Sequence, residues 1–441
     1  MGMEKTKMSD EQDIMISIWC QTYNQKEYIR DALEGFVSQE TDFAYEVIVY
    51  DDASTDGTSD IVREYADRYP QLFRIWIAEE NIFWSPKKQK EFRRKQWTYC
   101  RGKYIGLCEG DDYWIDCNKL QIQVDYMEAH PDCAMYLHNA LRLDCRTSKL
   151  KTINPYVCNE GKNLSPEEVI MLYKGHPPTA SILARRDVME WPEFVAMTSG
   201  GDYATELYAL LKGKIFYDSR IMSIYRSFRE GSYTDIIADN KESAFRFYIE
   251  MTCFLLEYDK YSNYQYHVWI TNRIQVYASW FVHDIESDER IREIYSNCKT
   301  KGYLSEPIYD KCFEMIACLR QQTLRKEYCS SDVKEFVNKH KIILVMGIGE
   351  YSSILTEQFE NNNIHFVGYV VSHRNDDHVN EFKGKPVWTF AELPFSKADV
   401  GIVIAINPRN WENITHSLAD AKIVNYYCPF LLDKDTDCAY L

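Results

Sequence analysis

The strongest chemical signal in the sequence is a group of three carboxylates that follows a short apolar run. Residues 104–108 are apolar, and Glu109, Asp111 and Asp112 come almost directly after them. A short apolar run bounded by glycine and acids predicts a buried strand, and ligands bind at the carboxyl ends of strands in open α/β sheets. Carboxylates crowded at a strand end repel one another, and a divalent cation with oxygen ligands, Mg²⁺ or Mn²⁺, removes that repulsion. The alternative is a solvated acidic turn.

A second buried strand, predicted at residues 46–50, also runs straight into acidic residues. Asp51 and Asp52 begin the segment Asp-Asp-Ala-Ser-Thr-Asp-Gly-Thr, which ends at Thr58. Over residues 14–78 predicted strands alternate with two amphipathic helices, and this β-α-β-α-β order indicates a mostly parallel sheet with right-handed crossovers. The two acidic strand ends would then line one crevice, so each motif supports the other.

Length and composition exclude several classes of protein. A chain of 441 residues is too long for one core, so two or three domains are expected. The net charge of −16 argues against a nucleic-acid partner and against a polybasic membrane anchor. We expect no transmembrane segment, because no run approaches the roughly 20 apolar residues of a spanning helix. The polar, acidic start is not typical of a secretory signal.

Four segments together resemble a family 2 glycosyltransferase, a member of the large inverting group with a GT-A nucleotide-diphospho-sugar transferase fold. They are residues 21–24 (Gln-Thr-Tyr-Asn), 51–58, 102–114 and 118–123. Their order and spacing match the family's pattern over residues 14–235. The resemblance implies an α/β fold for this region and a nucleotide diphosphate sugar as donor, with a UDP-sugar expected first.

The resemblance also implies roles for particular residues. Asp111 matches the last acid of the family's Asp-x-Asp and is expected to bind the metal, whereas Glu109 stands where the family usually has Asp. A nucleotide base needs an acceptor for its imide hydrogen, and the resemblance places that role on Asp51 or Asp52. The residues expected to contact the donor are Thr22, Tyr23, Asn24, Asp51, Asp52, Lys103, Asp112 and Arg226.

The general base is expected at Asp202, which follows two glycines and opens a helix predicted over residues 203–211. The pattern alone also fits a plain N-cap, since Asp is favoured there. In the family, an Asp at this place removes the proton from the acceptor hydroxyl during direct attack on the anomeric carbon. Glu206, one helical turn further on, is the next candidate.

Residues 224–232 resemble the family's Tyr-Arg-x-His-x-x-Gly-Ser segment with one change. Phe228 occupies the usual His place, so a contact of that His with metal or diphosphate is not expected here. Either Arg226 or Arg229 would compensate by binding the diphosphate, or would form a surface ion pair instead.

The rest of the chain predicts two further parts. Residues 236–335 are rich in helix formers and aromatics and indicate a helical linker or assembly segment. Residues 336–441 predict a Rossmann-like domain, whose Gly347, Gly349 and Ser352 form a Gly-rich turn before a helix. That turn would either bind a phosphate or nucleotide or have a purely structural role. The acid expected at the next strand end of a dinucleotide site is replaced by Ser372 and His373.

The sequence therefore predicts an inverting glycosyltransferase with a GT-A domain at residues 1–235, helices at 236–335 and a Rossmann-like domain at 336–441. The expected setting is the cytoplasm, or the inner face of the membrane, in bacterial surface polysaccharide synthesis. The acceptor would be a saccharide or a lipid-linked saccharide, and homo-oligomers would form through the helical or C-terminal region. Two alternatives stay open: a GT-A shell that only scaffolds or binds, and a nucleotide-sugar-modifying enzyme acting through the tail.

Overall fold

The computed structural model describes most of the chain and divides it into two compact units, residues 1–262 and 263–441. The described residues are 13–83, 85–156, 158–172, 175–229, 232, 240–283, 287–304, 306–325, 331–372, 380–405 and 411–427.

The first unit is built on one mixed sheet. In its described part, ten strands join in the order β3-β2-β1-β4-β9-β6-β10-β5, with β7 on β6 and β8 on β10. The strands are β1 Ile16–Thr22, β2 Tyr45–Asp51, β3 Phe73–Ile77, β4 Tyr104–Leu107, β5 Tyr113–Trp114, β6 Cys133–Asp144, β7 Lys149–Thr152, β8 Lys162–Asn163, β9 Leu183–Arg185 and β10 Lys214–Ser227.

Helices cover this sheet. They are α1 Ile29–Val37, α2 Thr58–Arg68, α3 Pro86–Lys95, α4 Lys119–Ala129, α5 Pro166–Met171, α6 Gly201–Leu210 and α7 Lys241–Tyr261. Apolar side chains of α1, α2 and α4 pack on those of β1, β2 and β4 in one buried core. Helix α5 begins with a capping box, since Ser165 and Glu168 cap each other's backbone N–H groups.

Parallel pairing places the functional strand ends side by side. β1 pairs with β2 and with β4, both in parallel, and Thr22 lies opposite Asp51 in the register. Because parallel strands carry their carboxyl ends to the same edge, the segments after β1, β2 and β4 all emerge together. This α/β architecture confirms the predicted fold class for the region.

The second unit contains helices followed by a smaller sheet. Its helices are α8 His267–His283, α9 Asp288–Thr300, α10 Pro307–Arg325, α11 Ser331–Lys339, α12 Glu350–Asn361 and α13 Trp411–Asp420. Its strands are β11 Ile342–Met346, β12 Gly368–Val371, β13 Glu381–Phe382, β14 Lys385–Thr389, β15 Val400–Ile404 and β16 Tyr426–Tyr427.

These strands form a sheet of doubly wound type. The described strands join in the order β13-β14-β12-β11-β15-β16, and every pair is parallel except β13 with β14. With β11 at the centre and later strands added outward on both sides, this is the order of a nucleotide-binding type sheet. The predicted boundaries at residues 235 and 335 stay predictions. None of the described helices combines the length and hydropathy required to cross a bilayer.

A buried carboxylate fixes the edge of the first sheet that lies opposite the strand ends. Glu46 in β2 has no solvent exposure, and its carboxylate accepts hydrogen bonds from the Ser17 hydroxyl at 2.6 Å and the Arg101 backbone N–H at 2.8 Å. The guanidinium of Arg101 also donates to it at 2.9 Å, and that of Arg74 at 3.3 Å. A buried charge is tolerated only with such partners, so this cluster holds β1, β2 and the start of β4 in register.

We expect Glu46→Ala to destabilise the first unit by about 3 kcal/mol, the low end for breaking a buried ion pair, because both arginines are partly exposed. The measurement is the midpoint of urea unfolding followed by circular dichroism. Glu64→Ala is the control, since its pair with Arg30 is half-exposed and such pairs contribute at most about 1 kcal/mol. Equal effects of the two substitutions would contradict the prediction.

Candidate active site

The loops after β1 and β2 are fastened to each other. The backbone N–H of Asn24 donates to the Ser54 hydroxyl at 2.8 Å, and the Asn24 side-chain oxygen accepts from the backbone of Thr55 at 2.8 Å. The backbone N–H of Lys26 donates to the Asp56 carboxylate at 3.0 Å. Asn24 therefore serves to lock the two loops, and the first two sequence motifs form one structural unit.

The two acids at the end of β2 are buried and already hydrogen-bonded. Asp51 accepts from the backbone N–H of Ser54 at 2.9 Å and from the hydroxyl of Ser59. Asp52 accepts from the backbone N–H of Ile82 at 3.0 Å, and burial raises the pKa of its carboxyl. Both carboxylates thus shape the floor of the crevice.

The third motif passes directly alongside β1. The N–H of Gly110 donates to the backbone oxygen of Gln21 at 3.0 Å. A Cβ atom at this position would lie 2.5 Å from the Gln25 side-chain oxygen and 2.8 Å from the Thr22 hydroxyl. Glycine is therefore required for the approach. It brings Glu109 and Asp111 next to Thr22, whereas Tyr23 is 41% exposed beside them.

Two arginines near the end of β10 neutralise the acidic turn. Arg226 lies in the strand, and Arg229 follows it. The guanidinium of Arg229 donates to the Asp111 carboxylate at 2.7 Å, and both side chains are only 12% exposed. Arg226 donates to the backbone oxygen of Asp111 at 2.6 Å and pairs with Asp31. Its own N–H donates to Asp112 at 2.8 Å. Arg226 is thus a buried clamp on the turn, and Arg229 faces the carboxylate expected to bind metal.

The electrostatics of the turn show how much negative charge is concentrated there. The surrounding protein atoms desolvate the carboxyl of Glu109, and this desolvation together with the charges of Asp111 and Asp202 raises its pKa to about 8. Part of the Glu109 side chain nevertheless reaches solvent. Burial and the charge of Asp111 raise the pKa of Asp112 well above its usual value. The influence of Asp202 on Glu109 indicates that Asp202 lies near the acidic turn.

Asp202 lies in the first turn of α6, as predicted, and it is held by groups that the sequence did not reveal. Its carboxylate accepts from the Thr179 hydroxyl at 3.2 Å and from the N–H of Tyr203 at 2.8 Å. The Nδ1 atom of His176 lies 3.7 Å from its Oδ2 atom, and the Nε2 atom of His176 lies 3.2 Å from Glu206. A single histidine in an irregular segment has no sequence pattern that predicts its contacts. The four-residue spacing of Asp202 and Glu206 was the one sequence feature that indicated this cluster.

Two residues of the resembling segments are placed differently from the rest. Lys103 precedes β4, at the end of the strand opposite the acidic turn, and its ammonium pairs with Glu128 at 2.5 Å. The structure therefore does not bring Lys103 to the crevice. Phe228 has a φ of 58°, and its ring lies beneath the guanidinium groups of Arg142 and Arg146.

Comparison with known proteins agrees with this arrangement. Residues 17–173 match the model of the family described as Glycosyl transferase family 2. The match contains the interlocked loops and the acidic turn. Residues 17–173 are therefore similar to the domain of glycosyl transferase family 2.

Individual relatives of the family 2 domain cover part of the chain. The uncharacterized protein Rv1520 of Mycobacterium tuberculosis is 34% identical over 227 residues, which is 52% of this chain and 63% of that protein, less than two thirds of its length. The Escherichia coli protein named UDP-Glc:alpha-D-GlcNAc-diphosphoundecaprenol beta-1,3-glucosyltransferase WfaP is 32% identical over 114 residues, 26% of this chain and 41% of that protein. A solved structure of S. aureus TarS 1-349 with UDP-GlcNAc has 15% identity and a TM-score of 0.47, covering 70% of this chain and 87% of TarS 1-349.

The carboxylates of the family 2 domain fit a divalent cation that is shared with a ligand. In the described part of the chain, no three His, Cys, Asp or Glu side chains are arranged to hold a metal by themselves. Mg²⁺ commonly binds through one or two carboxylates together with substrate phosphates. Asp111 adds negative charge beside Glu109, whose pKa it helps to raise, and a cation would relieve this repulsion, so the two carboxyl groups are suitable protein ligands for such a site.

The Gly-rich turn of the second unit is closed by its own serine. Gly347 has a φ of 105°, which suits glycine. The N–H of Gly349 donates to the hydroxyl of the buried Ser352 at 2.7 Å, so Ser352 caps the start of α12. Ser372 follows the end of β12, whereas His373 lies outside the described residues. A phosphate at this turn would have to replace the serine.

We expect NAD not to bind the full chain with a micromolar dissociation constant, since Ser372 stands where an acid would hold the ribose and Gly349 has a protein partner. Isothermal titration calorimetry measures this. Ser372→Asp is the matched variant, and a gain of NAD binding there would identify the missing acid as the cause. Micromolar binding by the unaltered chain would refute the prediction.

Proposed function

We propose that the chain transfers a sugar from a nucleotide diphosphate sugar, with UDP as the nucleotide to test first, to a hydroxyl acceptor with inversion at the anomeric carbon. The observation that carries this proposal is the nearness of two sets of charged groups. The charge of Asp202 acts on Glu109, which belongs with Asp111 to the acidic turn. The acidic turn would suit a cation with the diphosphate, and Asp202 would suit a base.

The donor would lie across the carboxyl edge of β1, β2 and β4. Thr22 and the exposed Tyr23 flank the expected place of the base and ribose, above the floor formed by Asp51 and Asp52. The diphosphate would meet the acidic turn, where Glu109 and Asp111 would hold Mg²⁺ or Mn²⁺, a cation that would supply positive charge for the leaving group. Arg229 would supply further positive charge there, because it contacts Asp111 already.

The reaction would need one base. The acceptor oxygen forms a bond to the anomeric carbon while the bond from that carbon to the diphosphate oxygen breaks, and the electron pair leaves with the diphosphate. The proton of the acceptor hydroxyl passes to the carboxylate of Asp202. Direct attack from the opposite side inverts the configuration, and it requires the acceptor to be held close to the donor in line.

The wider setting follows from the relatives. The name of the E. coli relative specifies a UDP-glucose donor and a lipid-linked saccharide acceptor for that protein. By analogy we propose a saccharide or lipid-linked saccharide acceptor for this chain, at the cytoplasmic side of a membrane and in surface polysaccharide synthesis. Oligomers formed through the second unit are part of the same proposal.

We expect Asp111→Asn to weaken the binding of UDP-glucose or UDP-GlcNAc in the presence of Mn²⁺ and to abolish turnover, because it removes a charged cation ligand. A thermal-shift screen of nucleotide sugars with and without Mn²⁺ measures the binding. Lys103→Ala is the control and should behave like the unaltered chain, since Lys103 lies at the other end of β4. Full activity in EDTA would contradict the role of the cation.

We expect Asp202→Asn to lower turnover by about 10²–10⁴, the usual contribution of a positioned proton acceptor. The amide keeps the size of the side chain and an oxygen to accept the bonds from Thr179 and Tyr203. Donor binding and the melting temperature should therefore stay unchanged. Loss of both would identify Asp202 as a structural cap, and full activity would move the base to another residue.

A further inference from the structure

A histidine links the two carboxylates of α6. Asp202 and Glu206 are four residues apart, so their side chains lie on the same face of the helix. The imidazole of His176 lies between them, with Nε2 at 3.2 Å from Glu206 and Nδ1 at 3.7 Å from Asp202. His176 comes from the segment between α5 and the 3₁₀ turn Thr179–Ser181, so the cluster ties that segment to the helix.

Among the described residues, the ion pair of Glu206 is with His176. Its side chain has no solvent exposure, and neither carboxylate oxygen has a well-aligned hydrogen-bond donor among the described residues. Burying a carboxylate costs several kcal/mol unless a cation accompanies it. The imidazole at 3.2 Å is that cation, and Glu206 therefore anchors His176.

The charge state of His176 agrees with this arrangement. Burial by itself lowers the pKa of the imidazole, but the charges of Glu206 and Asp202 outweigh burial and raise the pKa to about 9. The unperturbed pKa of a histidine is about 6.5. The other titratable groups that face the cluster are Tyr203, whose ring lies edge-on 6.2 Å away, Tyr156, which Glu206 affects, and Glu109, which Asp202 affects.

We infer that His176, anchored by Glu206, is a positioning residue that orients the carboxylate of Asp202 towards the acceptor and offsets the negative charge facing it. This inference rests on the proposed function. Asp202 is then held from three directions: by His176 and Thr179 at Oδ2 and by the N–H of Tyr203 at Oδ1. The carboxylate keeps 35% exposure, which leaves it open to an acceptor.

His176 acts without taking the proton itself. An imidazole that is already protonated cannot accept the proton that Asp202 receives from the acceptor hydroxyl. During the reaction Asp202 becomes neutral, while the pair of His176 and Glu206 keeps its charges. The contribution of His176 is therefore electrostatic and geometric, and it should appear in turnover rather than in donor affinity.

The first test observes His176 directly by NMR in the full chain labelled with ¹⁵N-histidine. The signal is assigned by its loss in His176→Gln. We expect a titration midpoint well above 6.5, and a lower midpoint in Glu206→Gln, because removing a negative neighbour removes the stabilisation of the charged imidazole. A midpoint at or below 6.5 in the unaltered chain would overturn the inference.

The second test is kinetic, with UDP-glucose and UDP-GlcNAc as donors in the presence of Mn²⁺. We expect His176→Gln to lower kcat by up to about 10²-fold, the scale of a misplaced reactive group, with the donor KM unchanged. The melting temperature is compared in the double variant His176→Gln/Glu206→Gln, which leaves no buried carboxylate without its cation, and it should stay close to that of the unaltered chain. In the Asp202→Asn background the same substitution should have no further effect, because His176 acts through Asp202. His130→Gln is the matched control, since His130 is exposed at the end of α4.

The outcomes separate the inference from the proposed function. An active chain in which His176→Gln keeps full kcat overturns the inference alone. An additive loss in the Asp202→Asn background, or a lower melting temperature of His176→Gln/Glu206→Gln that accounts for the loss, also overturns it and indicates a structural role. A chain that turns over no nucleotide sugar overturns the proposed function, and the inference with it, even where the NMR titration is as expected.

Discussion

The active-site edge depends on balancing negative charge that the parallel sheet forces together. Pairing of β1 with β2 and β4 brings the two acidic segments that follow β2 and β4 to one edge, and neither of them can move away without breaking the register. The compensating charges come from Arg226 and Arg229, more than a hundred residues further along the chain. The acidic turn is therefore complete only when β10 has joined the sheet, so tertiary pairing rather than local sequence stabilises it.

The two arginines have different partners in the acidic turn: Arg226 bonds to its backbone, and Arg229 bonds to the Asp111 side chain. Arg226 is buried against Tyr28 and Tyr113 and bonds to the backbone of the turn, so its charge is committed to holding Asp111 and Asp112 in place. Arg229 contacts a side chain, and a side-chain ion pair can exchange one partner for another. Phe228 between them adopts a left-handed conformation, a backbone state that is costly for a bulky residue.

Much of the fold could be predicted because the strands are short apolar runs bounded by glycine and by acidic or polar residues. The strand predicted at residues 46–50 is Tyr45–Asp51, and the one at 104–108 is Tyr104–Leu107. The positions of acids after these strands were visible for the same reason. By contrast, β6, Cys133–Asp144, is much longer than its apolar part, because its pairing with β10 extends it.

The sequence could not predict the roles of residues whose partners lie far away along the chain. Lys103 belongs to a matching segment, but its partner Glu128 lies on α4, and nothing local reveals that pairing. His176 is likewise defined by two carboxylates about thirty residues away. The type of a residue shows which chemistry it can do, whereas its partners decide whether it does so.

A second buried network connects the acidic turn to the loop that holds Asp202. Trp114, two residues after Asp112, donates from its indole to the backbone oxygen of Ala180 at 3.0 Å, and Gln123 donates to that of Ser181 at 3.2 Å. Lys119 lies between them, with its ammonium 3.9 Å from the Trp114 ring centre and bonded to Gln123 at 2.7 Å.

This network fixes the 3₁₀ turn whose first residue, Thr179, donates to Asp202. Burial lowers the pKa of Lys119 to about 7. Since the same tryptophan also belongs to β5, which pairs with β10, the acidic turn and the 3₁₀ turn that contacts Asp202 are fastened to one strand. The two parts of the candidate site are therefore connected through one buried network rather than through flexible loops alone.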